Sequence, residues 1–282
     1  MKRAAYRFYR VFLVALSIPI ILADFFRKTT GLEYGVGILA KLVLMARAII
    51  NAKKIPTVSW YLEHLVMITR ILQVPKSVEG CVVECGCYKG GSTANLSLVC
   101  ALSGRQLEVF DSFRGLPQPV DDDTAHTVID TSEMHLYSGG AFHASLEEVR
   151  ANVSRHGRIE ACHFNVGFFE DTLREFKRPC VFVFEDADLR SSLETCLIYL
   201  WPLLQPGCYF FTHEAHHLEI GSMFFDHGFW RAKLSSDPPG LVGAGGGLGL
   251  NPSPGGFRSD LGYAIKDPDL TKFRKVPQAV LP

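Results

Sequence analysis

From Cys81 to Thr212 the chain carries five short apolar runs with helical sequence between them, and four of the runs close on or beside an acid. The first opens the stretch Cys81–Ser92 (CVVECGCYKGGS). The others are Gln106–Asp111 (QLEVFD), Ile159–Val166, Cys180–Asp186 (CVFVFED) and Cys208–Thr212 (CYFFT). Val82 and Val83 are β-branched and apolar, as a strand buried on both faces requires. Strands that alternate with helices predict an α/β fold, a doubly wound and mostly parallel sheet. Phe229–Leu234 and Leu261–Lys266, with no long helix between them, predict an antiparallel pair at one edge.

The turn after the first run holds Gly86, Gly90 and Gly91, which let the backbone bend tightly and approach a ligand. Ser92 is expected to cap a helix Thr93–Leu102, whose free N–H groups favour an anion. An ordinary strand-to-helix turn has the same appearance. Ligands of open α/β sheets bind beyond the carboxyl ends of the strands. That rim holds Glu84, Gly86, Asp111, Asp186, Asp188, His213 and Glu214. An acid closing the second strand can accept both hydroxyls of a ribose. Nicotinamide enzymes and S-adenosylmethionine enzymes share that device, so its spacing leaves both open.

The ends of the chain differ in charge. Residues 1–54 hold ten Lys/Arg against Asp24 and Glu33, or 10 − 2 = +8, so the rest of this neutral chain carries −8. Residues 11–23 (VFLVALSIPIILA) are apolar but short for a bilayer, which needs about 20 residues. A second apolar helix, Val36–Ile50, carries Lys41 and Arg47 and can lie in a membrane interface. The alternative is that both helices pack on the body or on a partner chain. Trp60–Leu72 reads as an amphipathic helix ended by Pro75. The expected division is therefore 1–54 as a basic, membrane-associated helical extension, 55–79 as a lid or connecting helix, and 80–282 as the catalytic body. The eight cysteines lie between Cys81 and Cys208 with no CxxC spacing, which points to buried free thiols and a cytoplasmic setting.

Two segments interrupt the alternation. Ser112–Ala144 is long and rich in Pro, Asp, Gly and His, as active-site lids are. At most one of His126, His135 and His143 is expected to reach a substrate, and Asp121–Asp123 reads as a solvated turn. Pro238–Gly256 is glycine-rich, but no helix follows it, so it fits a flap better than a dinucleotide fingerprint.

In series, VECGCYKGGS, DSFRGLP, SLEEVRANV, GFFEDTL, EDADLRSSLE and PLLQPGCYFF resemble the macrocin O-methyltransferase family. The resemblance runs from about Trp60 to Phe211. It implies S-adenosylmethionine as cofactor and a sugar hydroxyl as methyl acceptor. It further implies that Glu84, Gly86, Tyr88 and Gly90 line the methionine end, that Asp111 holds the ribose, and that Ser112 and Phe113 lie near the adenosine. Ser92 joins them as the helix-start residue, and Gly167–Asp171 would pass the adenine. Asp186 would match the family's first metal-binding aspartate, which is also a candidate base.

The family closes its fifth strand with paired aspartates, whereas this chain reads Thr212-His213-Glu214-Ala215-His216-His217. Asp186, His213 and Glu214 are thus the candidate metal ligands, for Mg²⁺ or a softer ion such as Mn²⁺. Asp186 and His213 are the candidate catalytic pair, with His213 able to act as a metal-free base. A surface location for His213, His216 and His217 is the plain alternative. The sequence reading is an S-adenosylmethionine-dependent O-methyltransferase for a sugar or glycosylated, lipid-linked acceptor. A membrane surface and a second copy of the chain are the expected partners, and nucleic acid is not. The rivals are a membrane-docked binding protein without turnover and a nicotinamide-dependent oxidoreductase.

Overall fold

A computed structural model describes residues 18–128, 132–242 and 261–266. Six strands form one sheet in the order β5-β2-β1-β6-β7-β8. They are β1 Cys81–Cys85, β2 Leu107–Asp111, β5 Cys162–Val166, β6 Cys180–Glu185, β7 Leu204–Thr212 and β8 Gly262–Lys266. β1 runs parallel to both β2 and β6, so the order reverses direction beside it. Only β8 is antiparallel, along β7. β1 and β6 are buried at every residue, in keeping with their mostly apolar sequence, and they bury Glu84 and Glu185 with it. β7 begins at Leu204, four residues earlier than its apolar run.

The edge differs from expectation. Phe229–Leu234 is not a strand but the body of helix α9, His227–Leu234. Asp226 caps it by accepting from Phe229 N at 3.0 Å, and Trp230 is its buried anchor. β8 therefore pairs directly with β7. Residues Ile159–Ala161, read as the start of the third strand, form a 3₁₀ turn ahead of β5.

The helices fall into two groups. α2 Ile38–Lys54, α3 Tyr61–Gln73, α4 Gly91–Ser103 and α5 Leu146–His156 pack on one another, with residues 18–26 forming α1 ahead of them. α6 Phe169–Glu175, α7 Arg190–Leu200 and α8 Leu218–Gly221 form the second group. Right-handed crossovers on either side of β1 place the groups on opposite faces. One hydrophobic core extends from Ile21 and Phe25, through α3, to Ala264. α3 is buried along most of its length, so it is a wall of that core rather than a cover.

A chain of buried polar groups ties the first layer together. Asn51 Nδ2 on α2 donates to Asn95 Oδ1 on α4 at 2.8 Å, and Asn95 Nδ2 meets His64 Nδ1 on α3 at 2.7 Å. His64 Nε2 then meets Ser59 Oγ at 2.8 Å. Asn95 donates to Nδ1, so the proton of a neutral His64 belongs on Nε2. Burial holds His64 down at about 4.

Among the described residues no helix is long and apolar enough to cross a membrane. Most of the 11–23 run lies outside the described residues, as does most of Pro238–Gly256. The lid segment contains a short hairpin, β3 Ala125–Thr127 with β4 Met134–Leu136. Asp121–Asp123 is a 3₁₀ turn, but not a wholly solvated one. Asp123 is buried and accepts from Ser191 N at 3.3 Å. All eight cysteines are free thiols, seven of them buried.

Candidate active site

The cleft opens where the strand order reverses, beyond the carboxyl ends of β1, β2 and β6. It holds about 840 Å³ of empty space, part of it open to solvent. Gly86, Tyr88, Ser92, Asp111, Ser112, Asp186 and Glu214 all line it.

Gly86 is the tightest point. Its φ is +85°, and a Cβ there would stand 2.0 Å from the carbonyl oxygen of Asp186. No other residue type fits, so β1 and β6 leave the sheet in contact. Asp111 joins the two neighbouring turns. Its Oδ2 accepts from Cys87 N at 2.8 Å and its Oδ1 from Phe113 N at 2.7 Å. Each oxygen keeps a lone pair toward the cleft, enough for a diol. A non-glycine residue in left-handed backbone follows each of the four strand ends: Tyr88 (φ 45°), Phe113 (54°), Asp188 (63°) and Glu214 (46°). Such conformations cost about 1–2 kcal/mol each and turn the backbone sharply.

Three expected cofactor contacts, Glu84, Gly90 and Phe113, do not line the cleft, and Ser92 lines it without capping α4. Glu84 is wholly buried under the turn and does not line the cleft. Burial pushes its carboxyl up to about 8, against the opposing influence of Ser92 and Thr93. Gly90, not Ser92, is the cap of α4, in left-handed backbone at φ 83°. A side chain on Gly90 would press on Val149 and Val153 of α5. Ser92 sits inside the first turn and still faces the cleft. Phe113 is buried against Phe164 and reaches the site only through its N–H to Asp111.

His213 is buried behind the cleft wall rather than in it. Nδ1 lies 2.5 Å from Glu214 Oε1 and 3.3 Å from Asp186 Oδ1, and Nε2 lies 3.7 Å from Glu63 Oε2. Burial pulls its pKa down, but Glu214, Asp186 and Glu63 together push it well above the ordinary histidine range. Burial pushes Glu214 up as well, with the His213 charge opposing. Three carboxyl groups surround one imidazole, so the pair is best described as imidazolium and carboxylate. Burial raises Asp186, against the opposing His213 charge. Asp188 is raised to about 7 by burial and by Asp186.

One donor atom from each of Asp186, His213 and Glu214 lies within 4.8 Å of the other two. Two carboxylates and an imidazole suit a borderline ion such as Mn²⁺ better than Mg²⁺, which favours an all-oxygen shell. His216 and His217 are buried, not on the surface, and His126 is buried against Tyr137 and His217. None of His126, His135 and His143 lines the cleft.

Some wall residues were legible only through the segments that hold them, the 55–79 lid or connector, the 112–144 lid and the motif EDADLRSSLE. Pro56, Thr57 and Val58, in the loop between α2 and α3, form one side, and Leu116, Phe142 and Ser192 contribute elsewhere. Phe168, Phe169 and Glu170 line the cleft within the segment expected at the adenine. Glu63 was legible only as an acid within an apolar helix.

The family described as Macrocin-O-methyltransferase (TylF) matches residues 61–227. The chain belongs to the macrocin O-methyltransferase family. That match runs from the start of α3 to the start of α9 and so takes in every strand end at the cleft, with Pro56–Val58 lying just ahead of it. Within this family's range of relatives, the chain is 35% identical over 135 residues to 8-demethyl-8-(2,3-dimethoxy-alpha-L-rhamnosyl)-tetracenomycin-C 4'-O-methyltransferase of Streptomyces olivaceus, covering 46% of this chain and 51% of that one. It is 31% identical over 137 residues to Mycinamicin III 3''-O-methyltransferase of Micromonospora griseorubida, covering 46% and 53%. The chain thus spans about half the length of the curated relatives it matches. The fold is similar to that of the O-methyltransferase NovP, with a TM-score of 0.54, 19% identity, and coverage of 80% of this chain and 98% of that one.

Proposed function

We propose that the protein transfers the methyl group of S-adenosylmethionine to a hydroxyl of a sugar or glycosylated small molecule. The observation that carries this reading is the convergence of Gly86, Asp111 and Asp186 on one cleft in a chain of this family. Asp111 accepts the ribose hydroxyls, and the turn at Gly86 admits the methionine end. The aromatic rings of Phe168 and Phe169 stand where the adenine would lie.

The acceptor oxygen attacks the sulfonium methyl carbon in line with the C–S bond. A C–O bond forms, the C–S pair returns to sulfur, and the hydroxyl proton goes to a base. Asp186 fits that role because it faces the cleft. His213 does not reach the cleft, and without a metal its imidazolium orients Asp186. In the alternative form, with His213 as neutral imidazole, a divalent ion held by Asp186, His213 and Glu214 would lower the acceptor's pKa. The protein's contribution is positioning and proton removal.

Calorimetric titration with S-adenosylmethionine and separately with NAD tests the cofactor, and binding of NAD alone would overturn the reading. Methyl transfer to rhamnosyl glycosides then tests the acceptor class. Addition of a chelator separates the two forms of the site: turnover that survives it assigns proton removal to Asp186 without metal, with His213 orienting it. A second reading, a binding protein without turnover, is favoured by His213 and Glu214 at the place of paired aspartates. It expects cofactor binding with no transfer to any glycoside.

A further inference from the structure

Helix α2 buries two of its polar residues and exposes most of its large apolar ones. Lys41, Leu44, Ala48 and Asn51 form its buried face. Lys41 Nζ donates to the Arg27 carbonyl at 2.8 Å, and Asn51 donates to Asn95. The outer face bears Leu39, 75% exposed, with Val43, Ile50 and Leu42. At 100° per residue, Leu39, Leu42, Val43, Ala46 and Ile50 fall on one strip opposite the buried residues. A helix that only closes a soluble core has the reverse arrangement.

The surroundings of the strip are basic. Lys53 continues it, and Arg47 and Lys54 stand at its margin, all exposed. At the other end, an open cleft is lined by Phe26, Lys28, Leu32, Ile38 and Lys41, with Leu32 and Ile38 exposed. The two acids among residues 1–54 are taken up by the body. Asp24 pairs with Arg70 at 2.8 Å, and Glu33 accepts from Lys76 N at 2.8 Å. Lys2, Arg3, Arg7 and Arg10 add positive charge to the same end of the sequence.

We propose that α2 lies in the headgroup region of an anionic membrane, with the Leu39–Ile50 strip inserted and Arg47, Lys53 and Lys54 on lipid phosphates. An apolar strip with a basic rim is what an interfacial helix needs, and it does not require a spanning segment. A second copy of the chain is the weaker occupant, because a two-fold contact would bring two basic rims to one seam. The loop Pro56–Val58 follows α2 after a single residue and lines the active-site cleft. Docking therefore sets the cleft's mouth near the bilayer.

The test is flotation of the full chain with phosphatidylcholine vesicles, with and without phosphatidylglycerol. The wild-type chain should float with the anionic vesicles and lose binding as salt rises. Leu39→Glu with Val43→Glu should lower the bound fraction about tenfold or more, and Arg47→Glu with Lys54→Glu should do so on the anionic vesicles. Near-ultraviolet circular dichroism should match the wild type in both variants. Wild-type protein that stays at the bottom overturns the proposal. So does a strip variant that floats as well as the wild type, since residues outside α2 would then carry the binding. A strip variant that turns a dimer into a monomer by light scattering, without any vesicle binding, assigns the face to a second copy instead.

Discussion

Glu63, on the helix that precedes the sheet, sets Oε2 3.7 Å from Nε2 of His213 at the end of the last parallel strand. The same oxygen accepts from Trp60 N at 2.6 Å, which fixes the carboxylate in place. Both nitrogens of His213 therefore face carboxylates, and α3 takes part in the site's electrostatics without entering the cleft.

Glu63→Gln keeps the shape and removes one charge. The His213 pKa should fall, since Glu63 is among the groups that raise it. An NMR titration of the imidazole measures this directly. Methyl transfer should slow about tenfold while cofactor affinity holds, because Asp186 loses a fixed neighbour rather than a contact to cofactor. An unshifted imidazole would show that Glu63 is only a helix cap.

Asp111→Asn tests the ribose site. The amide keeps an acceptor for only one of the Cys87 and Phe113 N–H groups, turns its NH2 toward the other, and loses the charge. Affinity for S-adenosylmethionine should drop about ten- to a hundredfold, or roughly 1.5–3 kcal/mol by calorimetry. Unchanged affinity would remove Asp111 from the cofactor site.

Gly86→Ala forces a methyl group against the Asp186 carbonyl at a positive φ. Overpacking and left-handed strain together should cost about 2–4 kcal/mol in urea unfolding. Wild-type stability would mean that β1 and β6 separate at this point in solution.

His64 gives a pH dependence of stability. The unfolded imidazole takes a proton near 6.5, while the folded one resists it down to about 4. Its stabilisation is complete above about pH 6.5 and is lost as pH falls toward about 4, by roughly 3 kcal/mol. His64→Gln should be the less stable protein at neutral pH, and the gap should narrow on acidification. Urea midpoints of both proteins across that window measure the slope. A constant gap would indicate that His64 titrates alike in the folded and unfolded chain.

The parallel core was readable because Val82, Val83 and the CVFVFED run are apolar without alternation, and only strands buried on both faces look so. Asp111 was readable because its strand ends there. The edge was misread because the six residues Phe229–Leu234 satisfy a strand pattern as well as a helix pattern, and the deciding signal was the Asp226 cap just before them. Ser92 was misplaced because Gly90, with no side chain to cap with, starts α4 through its left-handed backbone. Glu63 was invisible as a site residue, and Pro56–Val58 were legible only as part of a lid or connector over 55–79, because only tertiary packing brings α3 and its preceding loop to the far ends of the strands. The inverted face of α2 was half legible: the sequence showed Lys41 and Arg47 in an apolar helix, but not that Lys41 points inward.

Tyr88 and Asp188, each just past a strand end, are the positions where laboratory evolution would go astray. Glycine at Tyr88 or Asp188, both partly exposed, relieves an unfavourable backbone and should raise the melting temperature, whereas at buried Phe113 it would leave a void against Phe164. A library sorted for thermal resistance alone would therefore collect glycines around the cleft mouth. Its winners would be hardy proteins without the Tyr88 and Asp188 side chains at the cleft, so selection on this scaffold has to score turnover in the same round as endurance.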